Sequence, residues 1–320
     1  MRKMLLWTSL LALAVAVAAS AAPETVLLQF KGEDGDRIRY FTRVDAKGTA
    51  TVLDPKAPGK TVEFPITVSG HATSIVRIDA VTAKGDLVMG GSIESFAFTA
   101  KAAEASFSLA IEGPGGTPPQ WLTLPTPPIV MVVRKDGKLI GIRGLDQLPL
   151  LPLAKPPAGD DEQVSPADAL ERLLLESSVP LFPDHPVKVG DVWTQTIDLD
   201  VAKIMDVTPL PAPVKAAMKT ISLPPIKAEY RLEGFETVDR VECAKIHGTR
   251  EWSLRIPEGE GEDLPVGVTE SVRVGVLIMF DHQAGRCQSI TQNISIEMKA
   301  SGLGSPTALT LNIHTRTTRE

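Results

Sequence analysis

Ile226-Lys227-Ala228-Glu229-Tyr230-Arg231-Leu232-Glu233 alternates without a break, and this stretch decides the fold. Ile226, Ala228, Tyr230 and Leu232 fall on one side of an extended chain, while Lys227, Glu229, Arg231 and Glu233 fall on the other. A period of two with one apolar and one charged face predicts a strand buried on one side and wet on the other, the pattern of an antiparallel sheet. The same beat returns in Ile294, Ile296 and Met298 against Ser295, Glu297 and Lys299. It returns again in Leu309, Leu311 and Ile313 against Thr310, Asn312 and His314. Near the other end, Arg37-Ile38-Arg39-Tyr40-Phe41 and Ser74-Ile75-Val76-Arg77-Ile78 read the same way. Turn chemistry punctuates these runs at Ala46-Lys47-Gly48, Ala83-Lys84-Gly85-Asp86, Lys135-Asp136-Gly137 and Gln283-Ala284-Gly285.

Helical signals are confined to the middle of the chain. Ser165 suits an N-cap, Pro166 the first helical position and Asp168 the capping-box acid. Ala167, Leu170, Leu173 and Leu174 then form an apolar stripe, so a short helix is predicted over 165–177. A second, weaker signal covers 213–220, fenced by Pro209, Pro211 and Pro224. Segments 113–128, 148–157 and 180–186 carry too much Pro and Gly for regular structure and read as loops or semi-rigid linkers. The expected organisation is therefore mainly β, with antiparallel sheets in two related units. These are 22–145 and 187–320, joined by a Pro-rich linker at 146–186 that carries the short helix.

The two units echo one another. Gly35-Asp36 precedes a strand that opens Arg37-Ile38-Arg39-Tyr40, and Gly190-Asp191 precedes one that opens Val192-Trp193-Thr194-Gln195. At nearly equal distances downstream stand Arg77-Ile78-Asp79-Ala80 and Arg231-Leu232-Glu233-Gly234. A hairpin at Asp136-Gly137-Lys138 has a counterpart at Ala284-Gly285-Arg286. Three matches in one order predict an internal duplication, against the bland reading that Gly-Asp before a strand is ordinary turn chemistry.

Residues 1–21 read as a cleavable secretory signal. Arg2 and Lys3 form a positive n-region, Met4–Ala19 is apolar, and Ala19 and Ala21 give the small-x-small pattern before the cut. No cysteine stands near that cut, so no lipid anchor is expected, and no later run is long enough for a spanning helix. The expected address is the periplasm or the outside. The formal charge of −6 becomes two units more negative when Arg2 and Lys3 leave, and no basic patch invites nucleic acid. Aromatic residues make up 5% of the chain, too few for a surface that stacks sugars or bases.

No constellation points to catalysis, a cofactor or a metal. His71, His185, His247, His282 and His314 are scattered, with no zinc-ligand spacing. Glu33-Asp34-Gly35-Asp36 and Glu258–Asp263 hold acids and glycines, but neither fits a calcium loop, and the first is better read as a turn leading into a strand. No nucleophile elbow or phosphate loop is present. An even cysteine count in an exported chain predicts a disulfide between Cys243 and Cys287, the alternative being two small buried core residues. From Val274 to Phe280 the chain turns wholly apolar. Val274, Val276, Ile278 and Phe280 are thus the candidate face for an apolar ligand or for a second sheet.

Gly-Asp opening a Tyr- or Trp-bearing strand resembles secreted bacterial β-proteins of uncharacterised function. So do His185-Pro186-Val187-Lys188-Val189-Gly190-Asp191-Val192-Trp193 and the hairpin Phe280-Asp281-x-x-x-Gly285-Arg286. The resemblance implies a long antiparallel sheet in the cell envelope and supplies no catalytic residues. Two functions follow as expectations. The first is a non-enzymatic binding or assembly module for an unidentified envelope protein. The alternative is a periplasmic carrier of a lipid or other apolar small molecule in a curled sheet.

Overall fold

A computed structural model of the protein describes residues 25–54, 57, 60–103, 105–111, 129–145, 171, 174–175, 178, 181–198, 224–256, 266–302 and 307–320. The signal segment, the 213–220 helix and the acidic stretch 258–263 lie outside the described residues. Of the helix expected over 165–177, Glu171, Leu174 and Leu175 are described, and all three are helical.

Strand alternation wins throughout. Twelve strands form a single antiparallel sheet: β1 (Arg37–Leu53), β2 (Thr61–Val81), β3 (Leu87–Ala102), β4 (Ala105–Ile111), β5 (Ile129–Val133), β6 (Leu139–Arg143), β7 (Val192–Ile197), β8 (Ile226–Val238), β9 (Val241–Ile256), β10 (Val266–Asp281), β11 (Arg286–Gly302) and β12 (Thr307–Arg319). Their order is β6-β5-β3-β2-β1-β12-β11-β10-β9-β8-β7, with β4 added beside β3. The two expected units thus meet edge to edge through the β1–β12 ladder, from Tyr40↔Arg319 to Thr51↔Ala308.

Three of the four expected turns join strands, at 83–86, 135–137 and 283–285. Ala46-Lys47-Gly48 does not turn; it lies inside β1. Gly48 serves a different need there. A Cβ at Gly48 would sit 1.9 Å from the Thr310 carbonyl oxygen, so the glycine admits the close approach of β12. A two-residue loop that the pattern did not flag, Asp239-Arg240, joins β8 to β9 with both residues at positive φ, 49° and 69°, as the tightest hairpins require.

The echo between the units has a structural counterpart. Gly35 N–H donates to the Ile78 carbonyl at 2.8 Å and Ile78 N–H to the Asp36 carbonyl at 2.9 Å. Gly190 and Leu232, with Asp191, repeat both bonds at 2.8 and 3.1 Å. Each aspartate also caps the turn before it: the Asp36 carboxylate accepts from Glu33 N–H at 2.9 Å, and the Asp191 carboxylate from Lys188 N–H at 3.0 Å. Strands β1-β2-β3-β5-β6 and β7-β8-β9-β10-β11 run in the same order across the sheet, with β12 between them.

The sheet is curled, and hydrogen bonds at one end prove it. β5 and β11, the nearer strands of the β5–β6 and β10–β11 turns, stand five strand steps apart, about 24 Å if the sheet were flat. Yet Phe30 N–H donates to the Lys135 carbonyl at 2.7 Å, and its neighbour Lys31 donates to the Gly285 carbonyl at 3.1 Å. The two turns therefore come within about 10 Å of each other. The outer edges approach as well. Leu181 N–H donates to the Asp136 carbonyl at 2.7 Å, while the Leu181 carbonyl accepts the Trp193 indole N–H of β7 at 3.0 Å.

Residues 25–31 and 181–187, tied by the Val26–Val187 bridge, form a strap across this end. Segment 180–186 was expected to be part of an extended linker. Instead Phe182 is 1% exposed. It packs against Phe280 at 4.6 Å and Phe30 at 5.3 Å between ring centroids. Val26, Leu28, Phe182 and Val187 cover Leu232, Ile246, Ile278 and Phe280 in the main core. Because the strap lies on the apolar face and joins turns from both sides, the apolar face is the concave one.

Candidate ligand-binding face

Directly opposed residues in an antiparallel ladder share a face, so the lining follows from the register. Gly48, Leu311 and Ile296 stand in one row across β1, β12 and β11. Ala46, Ile313, Ile294, Val274 and Arg250 stand in the next, which crosses to β9. The opposite face carries ion pairs: Arg43 pairs with Asp45 at 2.7 Å and Arg273 with Glu251 at 2.8 Å.

The concave face divides into two regions. At the strapped end the residues are core, with Leu232, Ile246 and Phe280 fully buried. Away from the strap, Leu309, Leu311 and Ile313 of β12 and Ile294 and Ile296 of β11 are only half-buried, although Val272 of β10, opposite Ile296, is buried. An aliphatic wall left half-exposed in this way is what an acyl chain can lie against.

The four predicted face residues straddle the division. Ile278 and Phe280 lie under the strap, Val276 at its margin, and Val274 on the open wall. All four point to the concave side, as the period of two requires. Met279, of opposite parity, is also buried, so this end of β10 is covered on both faces. Sequence reasoning missed most of the open wall, which lies on β11 and β12, although both runs had been read as half-buried strands. It also missed the strap. The alternation Val26, Leu28, Phe30 was the available signal.

The disulfide prediction fails. Cys243 and Cys287 are both free and buried. Phe280 is opposed by Ala244 on one side and Cys287 on the other, so β10 lies between the two cysteine-bearing strands. Two strand steps are about 10 Å, beyond the roughly 4–7 Å between α-carbons that a disulfide spans. Burial pushes the Cys287 thiol up to about 12. Burial, and then the charge of Asp281, push Cys243 up to about 11. Both groups are neutral thiols at physiological pH, not thiolate nucleophiles.

The histidines remain separate: His71 stacks on Phe41 at 5.7 Å, His282 meets Phe235 at 5.5 Å, and His314 bonds Asn293 at 2.8 Å. Among the described residues no group of three or more His, Cys, Asp or Glu is placed to hold a metal ion. A cleft of about 420 Å³ lies where the two sheet edges approach, lined among others by Arg134, Asp136, His185 and Trp193. Asp136 is held below the usual carboxylate range by the Arg134 guanidinium and the Lys138 N–H, against an opposing effect of burial. That pair shapes the β5–β6 turn.

No family model matches the chain, and no curated protein matches it. Solved structures with some likeness include lipovitellin, in work on its lipid–protein interactions, with a TM-score of 0.41, 10% identity and 90% of this chain covered. The chain spans 25% of that lipovitellin chain. Pseudomonas aeruginosa OccK5 gives a TM-score of 0.26 at 7% identity, covering 89% of this chain and 98% of its own. The β domain of the Bordetella autotransporter BrkA gives 0.21 at 11% identity, with 88% and 98% covered.

Proposed function

We propose that the protein is an exported, non-enzymatic carrier that holds the acyl chain of a lipid against the open part of its concave sheet. The observation that carries this reading is the half-buried aliphatic wall of β11 and β12, beside a packed core formed chiefly by β8, β9 and β10 on the same concave face. A module that merely needed a stable sheet would gain by closing that wall, since each buried aliphatic side chain is worth about 1.5–3 kcal/mol. The polarity of the two faces supports an aqueous setting. A membrane-spanning barrel carries its apolar band outside and polar residues within, and this sheet is arranged the other way round. The signal-like N-terminus supports an envelope address.

Native mass spectrometry of the mature protein, expressed with export to the periplasm, tests the proposal. Solvent extraction of the same sample identifies whatever leaves with it. A near-stoichiometric acyl-chain molecule is the expected result. A clean apo mass, together with no uptake of a long-chain fatty acid, would leave an assembly module as the better reading.

A further inference from the structure

We infer that Arg250 is the anchor for an oxyanion headgroup, so that the ligand class is an anionic amphiphile, a phosphate monoester or carboxylate bearing an acyl or alkyl chain. The inference rests on the carrier reading and adds the end of the ligand that the apolar wall cannot recognise.

Arg250 occupies a concave position. Its register neighbours are Ala228 on β8 and Val274 on β10, and the next inward residue along β9 is Trp252. The side chain reaches the same face as Tyr230, because its Nη2 donates to the Tyr230 hydroxyl at 3.5 Å. Tyr230 is fixed from three sides. It is 4% exposed, it stacks on Trp193 at 5.9 Å, and its ring fills the space over Gly248, where a Cβ would come within 2.6 Å of it. This scaffold holds the guanidinium at the margin between core and open wall.

Among the described residues Arg250 has no carboxylate partner, and the Tyr230 bond is long. Outward-facing arginines such as Arg43, Arg77 and Arg273 each hold one. The charge on the inward positions of the neighbouring β10, Glu270, is opposed to Leu254, four residues along from Arg250. That offset is about 13 Å along the strands, too far for an ion pair. A guanidinium set half-buried among apolar neighbours is costly unless an anion meets it, and its planar fork suits carboxylate and phosphate oxygens. Apolar wall and a cation with no carboxylate partner among the described residues are adjacent, which is the arrangement an anionic amphiphile matches end for end.

The test displaces N-phenyl-1-naphthylamine, a neutral apolar probe, from the delipidated mature protein. Dodecyl phosphate, dodecanoate, dodecanol and inorganic phosphate are the competitors. The wild type is expected to prefer dodecyl phosphate over dodecanol by roughly ten-fold or more, the scale of one hydrogen-bonded charge. Arg250→Gln should abolish that preference while leaving dodecanol affinity within about two-fold, and Arg250→Lys should retain part of it. An equal preference in Arg250→Gln overturns the inference, as does an equal loss of both ligands in that variant. Inorganic phosphate competing as well as dodecyl phosphate would also overturn it, by showing a free-anion site. If the wild type binds neither the probe nor dodecanol, it is the carrier reading that fails.

Discussion

The strapped end of the concave face and its open wall follow the same alternation, yet the first, chiefly on β8, β9 and β10, is a finished core and the second, on β11 and β12, stays half-buried. On β10, Phe280 and Ile278 lie beneath Phe182 and Leu28, while Val274, four residues from Ile278, does not. The residues differ little in character. What differs is a second layer, supplied at one end by residues 25–31 and 181–187. A period of two therefore says which face is apolar, and the strap turns the end it covers into core, while Val272 is buried farther along β10 outside the strap's cluster.

The sharpest way to break this contrast is to remove the strap's largest plug. Phe182→Ala should cost about 3–5 kcal/mol in urea unfolding, as for a large buried aromatic, whereas Leu311→Ala on the open wall should cost under about 1 kcal/mol. Equal losses would mean that the two ends are packed alike. Next in size is Gly285→Ala. Gly285 has φ +67°, and its Cβ would come within 2.4 Å of the Lys31 backbone nitrogen. Backbone strain and displacement of the strap should together cost about 2–3 kcal/mol. Gly35→Ala meets open space at φ +87°, so only the strain of about 1 kcal/mol should appear. Comparing the two separates the strap contact from the turn.

The smallest effect concerns alkaline pH. Cys287 shifts from 9.0 to about 12 and Cys243 from 9.0 to about 11 on folding. Tyr40 is raised from 10.0 to about 12 by its own burial. Raised folded values mean that the unfolded chain loses its protons first, so stability is intact below about pH 9 and falls as pH climbs toward 11 and 12. Cys287→Ala should flatten part of that slope in denaturant midpoints taken from pH 8 to 10.5. In the native protein at pH 7.5, thiol reagents should label neither cysteine until urea is added.

How much of this could be read beforehand follows from which interactions are local. The strands at 226–233, 294–299 and 309–313 announced themselves because their pattern depends only on the next residue but one. The β10–β11 hairpin and the repeated Gly-Asp turns were legible for the same reason. The contacts that fix the curl were not, since they bring Phe30 to Lys135 and Lys31 to Gly285 far along the chain. Nor was the role of Phe182, hidden among prolines that favour an extended path without saying what the path lies on. The cysteines misled because an even count carries no register, and here β10 lies between them. Arg250 looked like any charged strand residue until its partners across β8 and β10 proved to be Ala228 and Val274.

Tryptophan quenching by a bromine-labelled fatty acid tests the central claim most directly. Trp252 occupies an inward position on β9 and is half-buried on the open wall, whereas Trp193 is packed at the strapped end with its indole N–H bonded to Leu181. The account predicts saturable quenching of the mature protein and loss of most of the quenchable emission in Trp252→Phe. Absent quenching, or quenching of equal size in Trp252→Phe, would contradict a ligand on the concave wall.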